Sequence, residues 1–211
     1  MIRVVIPFYQ ELETVKPGLR DLRKSGVTFD VFPVQGPLIM NNRNMGVNNK
    51  RSQAVFQNAV EPYSHFLFID SDIGFEARHV TFALRAKKPI VAMPYLRHEN
   101  DGLYQAGDFE TFDGSRIVHA HSDTCGLLEV DFVGAGFLLV ERDVFLKMRY
   151  PWFRHSVHEI ECEDGSLIAE NTGEDVEFCK GARAVGVPIF CDFDHPVHHR
   201  LRRPEDFDVR A

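Results

Sequence analysis

Between His65 and Asp72 the chain reads His-Phe-Leu-Phe-Ile-Asp-Ser-Asp. Four large apolar residues in a row, Phe66 to Ile69, fit a strand buried on both faces, as in a parallel sheet covered by helices. The run then stops on two carboxylates, Asp70 and Asp72, one residue apart. In open α/β sheets, ligands bind beyond the carboxyl ends of the strands. Two acids placed there repel each other unless a cation joins them. A divalent metal with oxygen ligands would neutralise both and bridge to a diphosphate. A plainer reading gives Asp72 to the cap of a helix starting near Phe75, and Asp70 to an Asx turn.

The rest of the first half alternates strands with helices. Apolar runs predict strands at Val4 to Phe8, Phe29 to Val34 and Ile90 to Met93. Glu13 to Lys24, Asn41 to Ala59 and Ala77 to Lys87 are helix-compatible, and Gln35-Gly36-Pro37 is a loop signal. This pattern predicts an α/β fold with a parallel, doubly covered sheet. The second half is less regular. His98 to Asp113 is loop-like. Ile117 to Ala120, Leu127 to Phe132, Phe137 to Val140 and Ile189 to Cys191 read as strands, and Asp143 to Met148 and Asp175 to Val185 as helices. Tyr150 to Gly173 is long, polar and irregular, the character of a functional lid, and carries Trp152. That tryptophan is read either as a sugar-stacking aromatic or as a hydrophobic anchor.

Composition narrows the function. The 211 residues carry a net charge of -7, which argues against a polyanion binder and hence against a nucleic-acid partner. A small phosphorylated ligand remains compatible, because a bound metal inverts local charge. The four cysteines, Cys125, Cys162, Cys179 and Cys191, form no CxxC pair and read as reduced, mostly buried thiols of a cytoplasmic protein. No apolar run is long enough to span a bilayer, and the opening one is too short for a leader.

These words, in this order, resemble one family. Ile69-Asp70-Ser71-Asp72 looks like the DxD signature of GT-A glycosyltransferases. The first strand running into Pro7-Phe8-Tyr9 resembles the family's opening nucleotide-binding strand, and Asn41 to Asn44 the helix start where an Arg approaches the donor. Gly173 to Phe178 resembles its Glu-Asp motif, and Cys191-Asp192 through His198-His199 its closing strand and metal histidine. The resemblance spans nearly the whole chain.

It implies a mixed, mostly parallel central sheet with helices on both faces. It also implies one domain over 1–211, with 1–97 the nucleotide-binding half and 98–211 the acceptor side. The implied activity is metal-dependent transfer of a sugar from a UDP- or GDP-sugar donor to a glycan or other hydroxyl acceptor, with Mn2+ or Mg2+ as cofactor. Asp175 would be the catalytic base, with Glu174 beside it. The metal would fall to Asp70, Asp72 and His199 or His198, with His195 a third candidate. Pro7, Phe8, Tyr9, Gln35, Asn41, Arg43, Asn44, Asp70 and Ser71 would bind the donor. Gly134, Ala135 and Gly136 would let the backbone approach the sugar, unless they form a β-bulge.

Each motif also has a bland reading. Thr172 to Asp175 is a capping-box pattern, Arg43 fits a solvated helix face, and the histidines fit an exposed tail. His119 and His121 share one strand face without metal-like spacing. Three other functions stay open: a scaffold that binds nucleotide-sugar or glycan without turnover, a phosphatase of the haloacid-dehalogenase type, and a nucleotidyltransferase on the same kind of sheet, although no Gly-rich, Lys-bearing loop follows the first strand. The phosphatase pattern places its Asp pair after the first strand, whereas here a βαβ region precedes it.

Overall fold

The computed structural model describes residues 1–8, 12–49, 62–98, 101–110, 117–161 and 167–200. Its first half runs β1 (Ile2–Phe8), α1 (Lys16–Lys24), β2 (Phe29–Gln35), α2 (Ile39–Val47) and β3 (His65–Ile69). Then come β4 (Ile73–Gly74), α3 (Ala77–Arg85) and β5 (Ile90–Ala92). The middle holds β6 (Leu103–Phe109), β7 (Ile117–His121), β8 (Leu127–Val130), β9 (Phe132–Val133), β10 (Phe137–Glu141) and α4 (Arg142–Lys147). Last are β11 (Ser156–Glu161), β12 (Leu167–Thr172), α5 (Glu174–Ala184), β13 (Ile189–Asp192) and β14 (His198–His199).

The main sheet has seven strands in the order β2-β1-β3-β10-β5-β13-β8. β1 pairs in parallel with β2 and β3, and β5 with β13, while β10 and β8 pair antiparallel to their neighbours. Five strands therefore run one way and two the other. Side chains alternate across this sheet. Val5, Phe66, Phe68, Leu138 and Val140 enter one core, with Val47 of α2, Phe145 of α4 and Phe178 of α5. Val4, Ile6, Leu67, Ile69 and Leu139 enter the other, with Leu22 of α1 and Val80 of α3. Helices thus lie on both faces, and the apolar run of β3 is needed because both faces are buried. No helix among the described residues is long and apolar enough to cross a membrane.

Several elements differ from the sequence reading. The loop-like stretch after His98 contains β6, which pairs with β7 and β9 in a separate three-stranded sheet. Its alternation is hidden because Gly107 and Asp108 interrupt the apolar positions. The strand read over Leu127 to Phe132 is two strands in different sheets, broken at Asp131. Asp131 is held there by Phe109 N–H at its Oδ2 and by Arg183 at its Oδ1. The irregular segment after Tyr150 includes a hairpin, β11 with β12. Helix α2 starts at Ile39, two residues before the predicted start, and ends at Val47. The continuation predicted to Ala59 lies largely outside the described residues, as do Tyr9 and Cys162. Of the other cysteines, Cys179 and Cys191 are buried and Cys125 is exposed.

Close contact of α2 with the sheet depends on one small residue. A Cβ on Gly46 would stand 2.2 Å from Val5 Cγ1. Alanine is ordinarily the better helix former by about 1 kcal/mol, but overpacking typically costs about 1–3 kcal/mol. At 2.2 Å the clash lies toward the upper end of that range, so Gly46→Ala is expected to lower stability by about 1–2 kcal/mol, read as a reduced urea midpoint. A midpoint that stays or rises would refute this packing of α2 on β1.

Candidate active site

The strand order reverses beside β1: the chain leaves β2 on one side of it and returns as β3 on the other. At that switch point, beyond the carboxyl ends of the strands, lies an open cleft of about 210 Å³. Pro7 and Phe8 end β1 against it, Gly36 and Pro37 follow β2, and Ile39 and Asn42 face it from α2. Asp70, Ser71 and Asp72 complete the lining. Asn42 Nδ2 donates to the Gly36 carbonyl at 2.9 Å, fixing the loop that forms the outer wall.

The two acids of the Asp-Ser-Asp turn have different partners. Arg43 Nη2 donates to both Asp70 oxygens, at 2.7 and 2.9 Å. Burial pushes the Asp70 carboxyl up, to about 6, with Arg43 pulling it down and Asp72 adding to the rise. Asp72 faces His199: their Oδ2 and Nε2 atoms are 3.6 Å apart. Neither acid caps a helix, since α3 is capped by Glu76 in a reciprocal box with His79.

A short strand pairing brings His199 there. β14 pairs with β4 so that His199 lies opposite Ile73, and Arg200 N–H donates to the Asp72 carbonyl at 2.9 Å. His199 Nδ1 lies 3.3 Å from the Leu96 carbonyl. Donation by Nδ1–H to that carbonyl leaves the Nε2 lone pair facing Asp72. Asp72 draws the imidazole pKa up against the opposing effect of burial. His198, one residue earlier, points to the other side and is exposed. His195 is engaged elsewhere, 2.9 Å from Asp192 Oδ2 and stacked on Phe82 at 3.8 Å.

The opposite side is built by the start of α5. Glu174 receives a hydrogen bond from Arg43 Nη1 and stands 3.8 Å from His155 Nε2. Asp175 Oδ1 accepts from Val176 N–H at 2.8 Å, which meets one helix-start donor, yet the N-cap residue Gly173 provides no side-chain cap. Burial and then Glu174 raise the Asp175 pKa. Asp175 makes no ion pair among the described residues.

Other residues expected in the donor site stand apart from the cleft. Arg43 and Asn44 are 2% and 4% exposed and face inward. Asn44 bonds the Phe153 backbone at both ends of its amide. Asn41 and Gln35 are exposed, with Gln35 paired to Phe8 at the end of β2. Gly134 and Gly136 make room for Tyr95: added Cβ atoms would stand 2.2 Å from its hydroxyl and 2.7 Å from its ring. Trp152 is buried and donates to the Phe145 carbonyl, so it anchors the segment before β11.

Three residues without a role in the sequence reading gain one here. Asn42 lines the cleft, and its signal was its place beside the quoted Asn41 and Arg43. Tyr95 is buried, its hydroxyl accepting from Gly136 N–H and its ring set edge-on to His199 at 5.1 Å. Burial, then Asp70 and Asp175, raise its pKa well above the ordinary value. Its only mark in the sequence is its position just past the end of β5. His155 reaches Glu174, which no spacing reveals.

No family model matches the sequence, and no curated protein matches it. Solved structures do match. The protein A197 from STIV superposes with a TM-score of 0.60 at 15% identity, over 95% of this chain and 86% of that one. GalNAc-T7, solved with UDP, GalNAc and Mn2+, gives 0.59 at 10% identity over the full chain, which spans 45% of its length. A Drosophila β1,4-galactosyltransferase 7, in complex with manganese, UDP-Gal and xylobiose, gives 0.53 at 14% identity, over the full chain and 75% of that protein. At such identities the likeness shows the fold: this chain has the mixed α/β architecture of the GT-A glycosyltransferases.

Proposed function

We propose that the chain is a metal-dependent glycosyltransferase, moving a sugar from a nucleotide-diphosphate donor to an acceptor hydroxyl. The observation that carries this is the pairing of Asp72 with His199 at the mouth of the switch-point cleft. Solved proteins of the same fold hold UDP and manganese. Residues 1–97 supply the cleft walls and so form the donor half; Asp175, from 98–211, belongs to the acceptor side.

The pair fits a divalent cation. Asp72 Oδ2 and His199 Nε2, 3.6 Å apart, are too far for a direct hydrogen bond. A cation held by both side chains would lie between these two atoms. The outward Nδ1–H contact to Leu96 is the kind of support that metal-binding histidines receive. Among the described residues no group of three or more His, Cys, Asp or Glu could hold a metal. Two protein ligands suffice where substrate phosphates complete the shell. The imidazole favours manganese over calcium. A bound cation would stabilise the charge that builds on the departing diphosphate.

The chain's own residues do the rest. Pro7, Phe8, Pro37 and Ile39 give the nucleotide an apolar seat. Asp175 accepts the proton of the acceptor hydroxyl as its oxygen forms a bond to the anomeric carbon. The bond to the diphosphate breaks with its electron pair going to the phosphate oxygen. Asp175 suits the base role better than Glu174, which Arg43 already occupies.

Calorimetric titration with UDP, GDP and their sugars, with and without manganese, tests the donor site. The expected outcome is manganese-dependent binding of one nucleotide diphosphate, abolished in Asp72→Ala and weakened at least about tenfold in His199→Ala. No binding under any condition would overturn the reading. Asp175→Asn is expected to keep donor affinity and lose about 10²–10⁴ of turnover. Because burial raises the Asp175 pKa, the base is lost as pH falls through a value above the ordinary carboxylate range of about 4. The acid limb of kcat/KM is expected there, and a limb at or below pH of about 4 would remove Asp175 from the role.

A further inference from the structure

Arg43 lies between the two halves of the site. Its side chain is 2% exposed, and the cleft is lined by Asn42, one residue earlier, rather than by Arg43. One guanidinium nitrogen holds both oxygens of Asp70, and another holds Glu174 Oε1. The first acid ends β3 on the donor wall; the second opens α5 and precedes Asp175. A planar fork with fixed donor directions can hold two carboxylates in a set relation. Burial works against the charge on Arg43, but Asp70, Glu174 and Asp175 outweigh it and hold its proton more tightly than usual.

A second contact follows the same path. Asn44 bonds the Phe153 backbone at 2.7 and 3.1 Å, and Phe153 stacks on Phe178 of α5 at 4.6 Å. The guanidinium lies 5.7 Å from the same Phe153 ring. Consecutive residues of α2 therefore serve separate ends. Asn42 shapes the cleft, Arg43 holds Glu174 at the start of α5, and Asn44 holds the backbone of Phe153, whose ring stacks on α5.

We infer that Arg43 is a positioning residue that ties the donor-side Asp70 to Glu174, and so sets Asp175 for the acceptor, without contacting the donor phosphates. This role rests on the glycosyltransferase reading. Without Arg43, Asp70, Glu174 and Asp175 would face one another uncompensated, and the start of α5 would move. Misplacing a reacting group by about 1 Å can cost about 100-fold in rate.

The test compares Arg43→Met, Arg43→Lys, Glu174→Gln and the double variant Arg43→Met/Glu174→Gln, each confirmed folded by circular dichroism. Manganese-dependent nucleotide-diphosphate affinity is read by calorimetry, and kcat by transfer to the acceptor. The expected result for Arg43→Met is affinity within about threefold of wild type and kcat lower by about 10–100-fold. Lysine, a point charge that reaches one carboxylate, is expected to restore part of kcat. The double variant is expected to lose less than the product of the single losses. The double variant also lacks the uncompensated Glu174 charge, so it reads the coupling should Arg43→Met fail to fold. Affinity lower by about tenfold or more with kcat retained would make Arg43 a phosphate ligand and overturn the role. Multiplying losses in the double variant would do the same. A wild-type chain that binds no donor would overturn the proposed reaction and this role together; intact wild-type binding with either of the other results overturns this role alone.

Discussion

A strand buried on both faces, β3, delivers the residue that follows it, Asp70, to the cleft with only 21% of its side chain exposed. A buried carboxylate is costly unless it is paired and hydrogen-bonded. Arg43 meets that demand with donors to both oxygens. The arginine, itself buried, has donors left over after one acid, and Glu174 accepts from another of them. This three-residue ion cluster fixes where α2 and α5 sit relative to the sheet edge. Removing Arg43 would leave both acids without their cation, which costs more than the pair is worth against a hydrophobic replacement. The apolar stacking of Phe153 on Phe178 runs alongside the cluster and adds a second contact between α5 and the segment that Asn44 holds.

The second half of the site depends on strand pairing rather than burial. β4 and β14 are each two residues long, and alone neither would persist. They are held by what flanks them: the Asp70 to Ile73 backbone turn on one side, and Val197 N–H bonded to the Pro94 carbonyl on the other. Tyr95 follows directly, under the backbone of Gly134 and Gly136, with its ring edge-on to His199. The glycines thus act on the site through an aromatic side chain that occupies the space they leave.

How far the sequence could be read follows from these forces. The apolar run of Phe66 to Ile69 announced its strand and its burial, because so short a run of large side chains, ended at once by two acids, fits a strand covered on both faces. The carboxyl end of that strand marked the site for the same reason. Leu103 to Phe109 escaped, since glycine and aspartate interrupt its alternation. β4 and β14 escaped because two residues carry no period. Arg43 was legible as an arginine near a helix start, where it was expected to meet the donor. Its burial and its link to Glu174 were not, because both depend on how α2 and α5 dock. The resemblance to the GT-A family supplied the pairing of Asp72 with a late histidine as an expectation. Only the β4–β14 register distinguishes His199 from His198, by turning one toward Asp72 and the other to solvent.

The contrast between Asp70 and Asp72 shows how one turn divides labour between identical residues. In a continuing strand the two would share a face and compete for one cation. The chain instead turns, with Ile73 N–H closing on the Asp70 carbonyl at 3.0 Å. Asp70 stays with the buried end of the strand and takes a cation the protein carries permanently. Asp72 moves toward solvent and meets a neutral-capable imidazole, a partner that can be separated from it by an exchangeable ion. One acid is therefore spent on architecture and the other is left for ligand chemistry. On the proposed reading, such a division would let the donor side gain and lose a cation without disturbing the ion cluster that holds the start of α5.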